Sequence, residues 1–287
     1  MAAGTAGVRR FRLYRPPDVA FGAALPLVVM LHGCGQSATE FALSTRMNLL
    51  ARRERFFVLY PEQDRLSNPQ GCWNWYEGRF GKAGSEADLL LAMVDQVLTL
   101  YPADRHRVVL AGLSAGAAMA ALLAARHPAR FAAVAMHSGV GPGAAVSTAT
   151  ALSAMRGGRA PSLAAATETA LQAADAIGAP LLPPLMVLQG LTDTVVAPSN
   201  AAAAAEAWAG AVGASGGTAK FHQAGTRLPM RITAFERGGR ERVRLCEVAG
   251  LGHAWSGGAA SQAFSDPKGP DASRLVWAFA KENFAPR

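Results

Sequence analysis

Apolar residues along this chain fall into two rhythms. Short, nearly unbroken apolar runs at 25–31, 56–60, 107–111, 131–136 and 184–188 predict strands buried on both faces. Between them, apolar residues at helical spacing predict helices over 41–53, 86–101, 117–126 and 200–212, with a closing helix over 272–284. Residues 8–14 alternate polar and apolar, as an antiparallel edge strand does, and the runs 230–235 and 241–248 flank Gly238-Gly239 as the arms of a hairpin. Strands alternating with helices predict an α/β fold, with a mostly parallel central sheet and helices on both faces. The alanine- and glycine-rich stretch 139–180 reads either as a helical insertion over the site or as a long connection. With no internal repeat and no linker, residues 1–287 are expected to form one domain.

One strand-to-helix junction carries chemistry. Gly112-Leu113-Ser114-Ala115-Gly116 stands between the run 107–111 and the helix 117–126, the context in which G-x-S-x-G becomes a nucleophile elbow. A serine hydroxyl is a weak nucleophile at neutral pH, so it needs a histidine base and an acid to orient that base. In the chain order Ser, acid, His, the acid follows a late strand. Of Asp175 and Asp193, only Asp193 sits just past a buried strand, in Gly190-Leu191-Thr192-Asp193. His253, in Gly250-Leu251-Gly252-His253, follows the last strand and is the expected base. His32 and His106 precede the serine; His127, His137 and His222 lack the position or the preceding strand.

Acyl transfer also needs donors for the developing oxyanion. The backbone N–H of Ala115, directly after the nucleophile, is one; the glycine loop His32-Gly33-Cys34-Gly35 is expected to supply the second through Cys34. A cysteine nucleophile is rejected, because no Cys–His–Asn order accompanies Cys34. Trp73, Trp75 and Tyr76 in a long loop, with Trp255 beside His253, read either as walls for an apolar substrate or as anchors to the core. All four are expected at the substrate, with Trp75 and Trp255 helping to form the cleft. Trp208 and Trp277 fall in helices and read as core.

Composition adds limits. A chain that is 51% hydrophobic and 17% charged is a globular one, and no apolar run reaches the ~18–20 residues that span a bilayer. The net charge of +8 comes from scattered arginines without a zinc spacing, recognition helix or stacking motif, so no nucleic-acid partner is expected. No membrane partner, metal or cofactor is expected either, and the protein reads as a monomer. Three cysteines exclude a disulfide scaffold. Cys34 and Cys72 both fall in loops directed at the catalytic face, where a single bridge is one option; Cys246, in a strand, reads as a buried thiol. Residues 1–10 show no hydrophobic leader core, which fits an intracellular protein or a mature form whose leader is removed.

Several motifs together resemble the polyhydroxybutyrate depolymerase esterase family, an α/β-hydrolase family. They are Leu31-His32-Gly33-Cys34-Gly35-Gln36, Gly71-Cys72-Trp73-Asn74-Trp75, the serine pentapeptide, Gly252-His253-Ala254-Trp255-Ser256-Gly257-Gly258 and Asp266-Pro267-Lys268-Gly269-Pro270-Asp271-Ala272-Ser273. The likeness runs from about 12 to 284 and is weakest over 139–180. It implies cleavage of 3-hydroxyalkanoate esters through an acyl-enzyme, the triad Ser114, Asp193 and His253, an oxyanion donor at Cys34, and a Cys34–Cys72 bridge. Such a bridge would favour a protein that works outside the cytosol. Members acting on solid polymer often add a binding domain that this sequence does not show, so soluble esters or amorphous polyester are expected over crystalline polymer. Feruloyl, acetyl-xylan and aromatic-polyester substrates are the alternatives within enzymes. A silent hydrolase fold used for binding is the alternative outside them.

Overall fold

A computed structural model describes residues 2–4, 7–20, 22–78, 81–158 and 182–285. Strands are β1 (Ala2–Gly4), β2 (Gly7–Tyr14), β3 (Leu25–Leu31), β4 (Phe57–Glu62), β5 (Ala103–Leu113), β6 (Ala133–His137) and β7 (Leu185–Gly190), followed by β8 (Ser215–Gly216), β9 (Lys220–His222), β10 (Met230–Arg237), β11 (Arg240–Val248), β12 (Trp255–Ser256) and β13 (Ser265–Asp266). Helices are α1 (Ala38–Thr45), α2 (Met47–Glu54), α3 (Lys82–Leu100), α4 (Ala115–Arg126), α5 (Thr148–Met155), α6 (Ser199–Ala211) and α7 (Ala272–Glu282). The main sheet runs β1-β2-β4-β3-β5-β6-β7-β11-β10-β8, with β9 also on β10. Its centre, from β4 through β3, β5, β6 and β7 to β11, is parallel; β2 and β10 pair antiparallel at the flanks.

Alternation along each central strand divides the core in two. Leu27, Val29 and Leu31 face one apolar cluster, which α3, α4 and α6 cover; Val28 and Met30 face the other, covered by α1, α2 and α7. Both faces are buried, as the unbroken apolar runs require. No helix among the described residues is long and apolar enough to cross a membrane.

Some elements differ from the sequence reading. The helix expected over 41–53 is two helices, broken at Arg46, whose φ of 53° is left-handed. Arg46 Nη2 donates to Gly257 O at 2.6 Å, a contact 211 residues away that local periodicity does not register. β4 runs through Pro61 instead of stopping there, because its pairing with β3 ends at Leu59 and Pro61 faces only β2. No N–H is then needed on the β3 side. The helix expected from residue 86 begins at Lys82. Of the stretch 139–180, residues 148–155 form α5, whereas 159–180 lie outside the described residues.

Candidate active site

The serine pentapeptide folds as a bend too tight for side chains beside the serine. β5 ends at Leu113 and α4 begins at Ala115, leaving Ser114 between them with φ 56° and ψ −120°, a conformation costing roughly 1–3 kcal/mol for a residue with a side chain. A Cβ on Gly112 would overlap the Gly116 carbonyl, and one on Gly116 would overlap the carbonyl of Leu31 in β3. The bend is pinned by Ser114 N–H donating to His137 O at 2.9 Å and by Ala118 N–H donating to Ser114 O at 3.1 Å.

Ser114 opens on a cavity of about 250 Å³. Cys34, Ala115, Trp75 and Tyr76 line it with Cys72 and Gln70; α5 closes the other side through Thr148, Ala151, Leu152 and Met155, with Val140 and Val196 beside them. No charged side chain among the described residues lines it. Ala115 stands first in α4, where a backbone N–H has no intrahelical acceptor. The N–H of Cys34 likewise meets no acceptor among the described residues. Two backbone donors thus remain available beside the serine.

The Cys34 loop is held from several sides. Cys34 and Cys72 form a disulfide. Gly33 N–H donates to Gln36 Oε1 at 2.9 Å, and Gly35 N–H to Gln70 O at 3.0 Å. His32 Nδ1–H donates to Gly33 O at 2.8 Å while its Nε2 accepts from Gln63 N–H at 3.1 Å. Burial lowers the pKa of His32, and the two ring contacts suit the neutral imidazole. Below the aromatic loop, the buried carboxylate of Glu86 accepts from Asn74 N–H and Gln63 Nε2, each at 2.7 Å, and faces Arg9 at 3.3 Å. That network sets the loop that carries Cys72 and Trp75.

Asp193 and His253 form a pair beside the cavity. His253 Nδ1–H donates to Asp193 Oδ2 at 2.8 Å. Asp193 Oδ1 accepts the N–H groups of Val195 and Val196, both at 2.9 Å, and Gln189 Nε2 donates to Oδ2 at 3.1 Å. Burial alone would push this carboxyl up; the hydrogen bonds from His253, Val196 and Val195 outweigh it and hold the acid below its ordinary range. The Asp193 and His253 loops are joined where Thr192 N–H donates to Leu251 O at 3.0 Å. Val196, which Asp193 holds, lines the cavity with Ser114, so the pair and the serine share one rim at the carboxyl ends of β5, β6 and β7.

His137 ties that rim together. Besides taking the Ser114 N–H through its carbonyl, it accepts Ser256 N–H on Nε2 at 3.1 Å and lies 5.2 Å from the Trp255 ring. Burial, then the neighbouring His253, lowers its pKa to about 3, so it stays neutral. Sequence order ruled His137 out as the base and gave no sign of this bridging role.

Of the four aromatic residues expected at the substrate, two line the cavity at Ser114. Trp75 and Tyr76 line the cavity, with ring centroids 5.4 Å apart. Trp73 and Trp255 do not, which corrects the expectation for both. Trp73 is fully buried and donates Nε1–H to His32 O at 3.0 Å. Trp255 is 1% exposed, donates to Ser273 Oγ at 3.2 Å and meets Phe41 edge-on at 5.5 Å. Both are anchors of the loops that carry them. The cavity wall contributed by α5 had no sequence signal beyond helical alanines.

The family profile described as esterase PHB depolymerase matches residues 9–227. Poly(3-hydroxyalkanoate) depolymerase C of Paucimonas lemoignei is 33% identical over 179 residues, which are 62% of this chain and 43% of that protein. Feruloyl esterase B of Neurospora crassa is 35% identical over 133 residues, 46% of this chain and 44% of that protein. The chain therefore spans less than half the length of these two curated relatives. Acetyl xylan esterase from Aspergillus awamori superposes with a TM-score of 0.71 at 23% identity, over 85% of this chain and 88% of that one. The sheet order and this superposition are those of an α/β-hydrolase fold. With most of its length matched by one profile, the chain belongs to the esterase PHB depolymerase family.

Proposed function

We propose that the protein is a serine carboxylic-ester hydrolase acting on short-chain 3-hydroxyalkanoate polyesters or their oligomers. One observation carries the reading: Ser114 is held in a left-handed bend between two free backbone donors and an uncharged cavity, on the rim that bears a hydrogen-bonded Asp193–His253 pair. In this reading Ser114 Oγ adds to the ester carbonyl carbon as its proton passes to His253 Nε2. Asp193 holds Nδ1–H and stabilises the imidazolium. The carbonyl oxygen becomes an oxyanion received by the N–H groups of Cys34 and Ala115. Collapse breaks the bond to the alcohol oxygen, which leaves with the proton from His253. Water, deprotonated by the same histidine, then adds to the acyl-enzyme and releases the acid.

A cavity of about 250 Å³ lies just under the ~300–1,000 Å³ of drug-sized ligand clefts and suits a short, neutral acyl group. Relatedness to a poly(3-hydroxyalkanoate) depolymerase supports an aliphatic hydroxyacyl substrate. Trp75 and Tyr76, with the feruloyl esterase relative, favour a second reading in which a flat aromatic acyl group enters the same cavity. The disulfide supports a site of action outside reducing compartments.

The test has two arms. Ser114→Ala should lower p-nitrophenyl butyrate hydrolysis by about 10⁴–10⁶-fold and abolish labelling by a fluorophosphonate. Hydrolysis retained by that variant overturns the mechanism. A panel of 3-hydroxybutyrate oligomers, methyl ferulate and acetylated xylan then separates the substrates; preference for ferulate replaces the polyester reading with the aromatic one.

A further inference from the structure

Gln189 is the penultimate residue of β7, four residues before Asp193, and is fully buried. Its Nε2 lies 3.1 Å from Asp193 Oδ2, 3.2 Å from Gly190 O and 3.2 Å from Val196 O. All three neighbours are acceptors, so they fix the amide with its NH₂ toward them, because a flipped amide would set oxygen against oxygen. Its Oε1 is left buried without a partner among the described residues. A side chain that satisfies its donor at the expense of its acceptor is held there for the donor.

We propose that Gln189 is a positioning residue for the reaction, acting through the oxygen of Asp193 that also holds the base. Oδ2 receives two side-chain donors, His253 Nδ1–H and Gln189 Nε2–H, while Oδ1 receives two backbone N–H groups. Gln189 thereby fixes the plane of the carboxylate and draws negative charge from the oxygen that faces the imidazole. The second effect limits how tightly the imidazolium is held, so the base gives its proton back to the leaving alcohol. The other titratable groups facing this cluster are few. His137, on β6, is neutral; Glu247, opposite Gln189 on β11, is paired with Arg231 at 2.7 Å. The remaining ring at His253 is Phe264, which carries no charge.

The inference rests on the triad reading, and the experiment keeps the two apart. Gln189→Met preserves length and apolar volume while removing the donor. Wild type and variant are first labelled with a fluorophosphonate; failure of wild type to label sinks the triad itself. With labelling intact, kcat/KM for p-nitrophenyl butyrate is measured from pH 5 to 9. The variant should lose about 10-fold at neutral pH, and its acid limb should move up by about half a pH unit, because Oδ2 then holds the protonated imidazole more tightly. Gln189→Glu, which sets a carboxylate against Oδ2, should lose more. A Gln189→Met protein with the wild-type profile and rate would show that the amide merely fills space. Should that variant fail to fold, the Gln189 side-chain NH₂ resonances of the wild-type protein decide the matter. They should shift across the acid limb of the activity profile, and invariance across that range overturns the proposal.

Discussion

At the scale of single residues, Asp193 shows how opposing effects set the proton affinity of a buried carboxyl. Desolvation raises its proton affinity, and hydrogen bonds from His253 and two backbone N–H groups lower it by more. Its folded-state acid is stronger than the ordinary value of 3.8, so the stability it contributes is present above that value and is lost as pH falls through the lower folded value. Asp193→Asn should be less stable than wild type at pH 7, and the gap in Tm should narrow below about pH 3.8. Parallel Tm curves would mean that the carboxylate gains nothing from its donors. The tryptophans show what sequence could not distinguish. Trp73, Trp75 and Trp255 all lie in glycine-flanked loops near motif residues, yet only Trp75 lines the cavity. Which way an indole points depends on what stands behind its loop: His32 O for Trp73, and Ser273 and Phe41 for Trp255. Trp255→Ala should cost about 3–5 kcal/mol of stability in a denaturant titration. Trp75→Ala should raise KM for p-nitrophenyl butyrate and cost less stability than Trp255→Ala. The reverse pattern would exchange the two roles.

At the scale of elements, the legible parts were those whose signal is local. The central strands announce themselves as apolar runs because both faces are covered, and the serine bend does so because Gly112 and Gly116 face backbone on each side. Order after late strands singles out Asp193 and His253, whose side chains the fold brings to 2.8 Å of each other. The break at Arg46 is not legible locally, and the partner of that side chain, the Gly257 carbonyl, lies 211 residues away. Helix α5 supplies one wall of the cavity. Its start is fixed by the Ser147–Thr150 capping box, and its end by Asn200 Nδ2 donating to Ala154 O at 2.9 Å and Ala197 N–H donating to Met155 O at 2.7 Å. Held at both ends, it presents Leu152 and Met155 as a fixed wall. A wall of this kind discriminates acyl length, because each methylene in an apolar pocket is worth about 10-fold or more. Met155→Ala should therefore raise the ratio of p-nitrophenyl octanoate to butyrate turnover by roughly 10-fold. An unchanged ratio would place the acyl chain outside this cavity.

At the scale of the whole molecule, the site is assembled from loops far apart in sequence, and the Cys34–Cys72 bridge is the covalent tie among them. It joins the donor loop after β3 to the aromatic loop before α3 across a separation of 38 residues. The placing of Cys34 and Cys72 in loops toward one face left the bridge open, and the family resemblance implied it; the structure has that disulfide. By chain entropy a closure of this length adds on the order of 4 kcal/mol, with about 2–4 kcal/mol usual in practice. Replacing both cysteines with serine should lower stability by about that much in a urea titration. The catalytic effect should be separate from the stability effect. Serine keeps the backbone N–H of residue 34, and the loops remain linked through Gly35 N–H to Gln70 O. The folded variant should thus still label with a fluorophosphonate, but with lower kcat if the N–H of residue 34 is the oxyanion donor proposed above, because the bridge no longer holds its loop. Dithiothreitol should reproduce that loss in wild type and leave the double variant unaffected. If reduction changes neither the urea midpoint nor turnover, the bridge does not position the donor, and the hydrogen bonds of His32, Gln36 and Gln70 hold the loop alone.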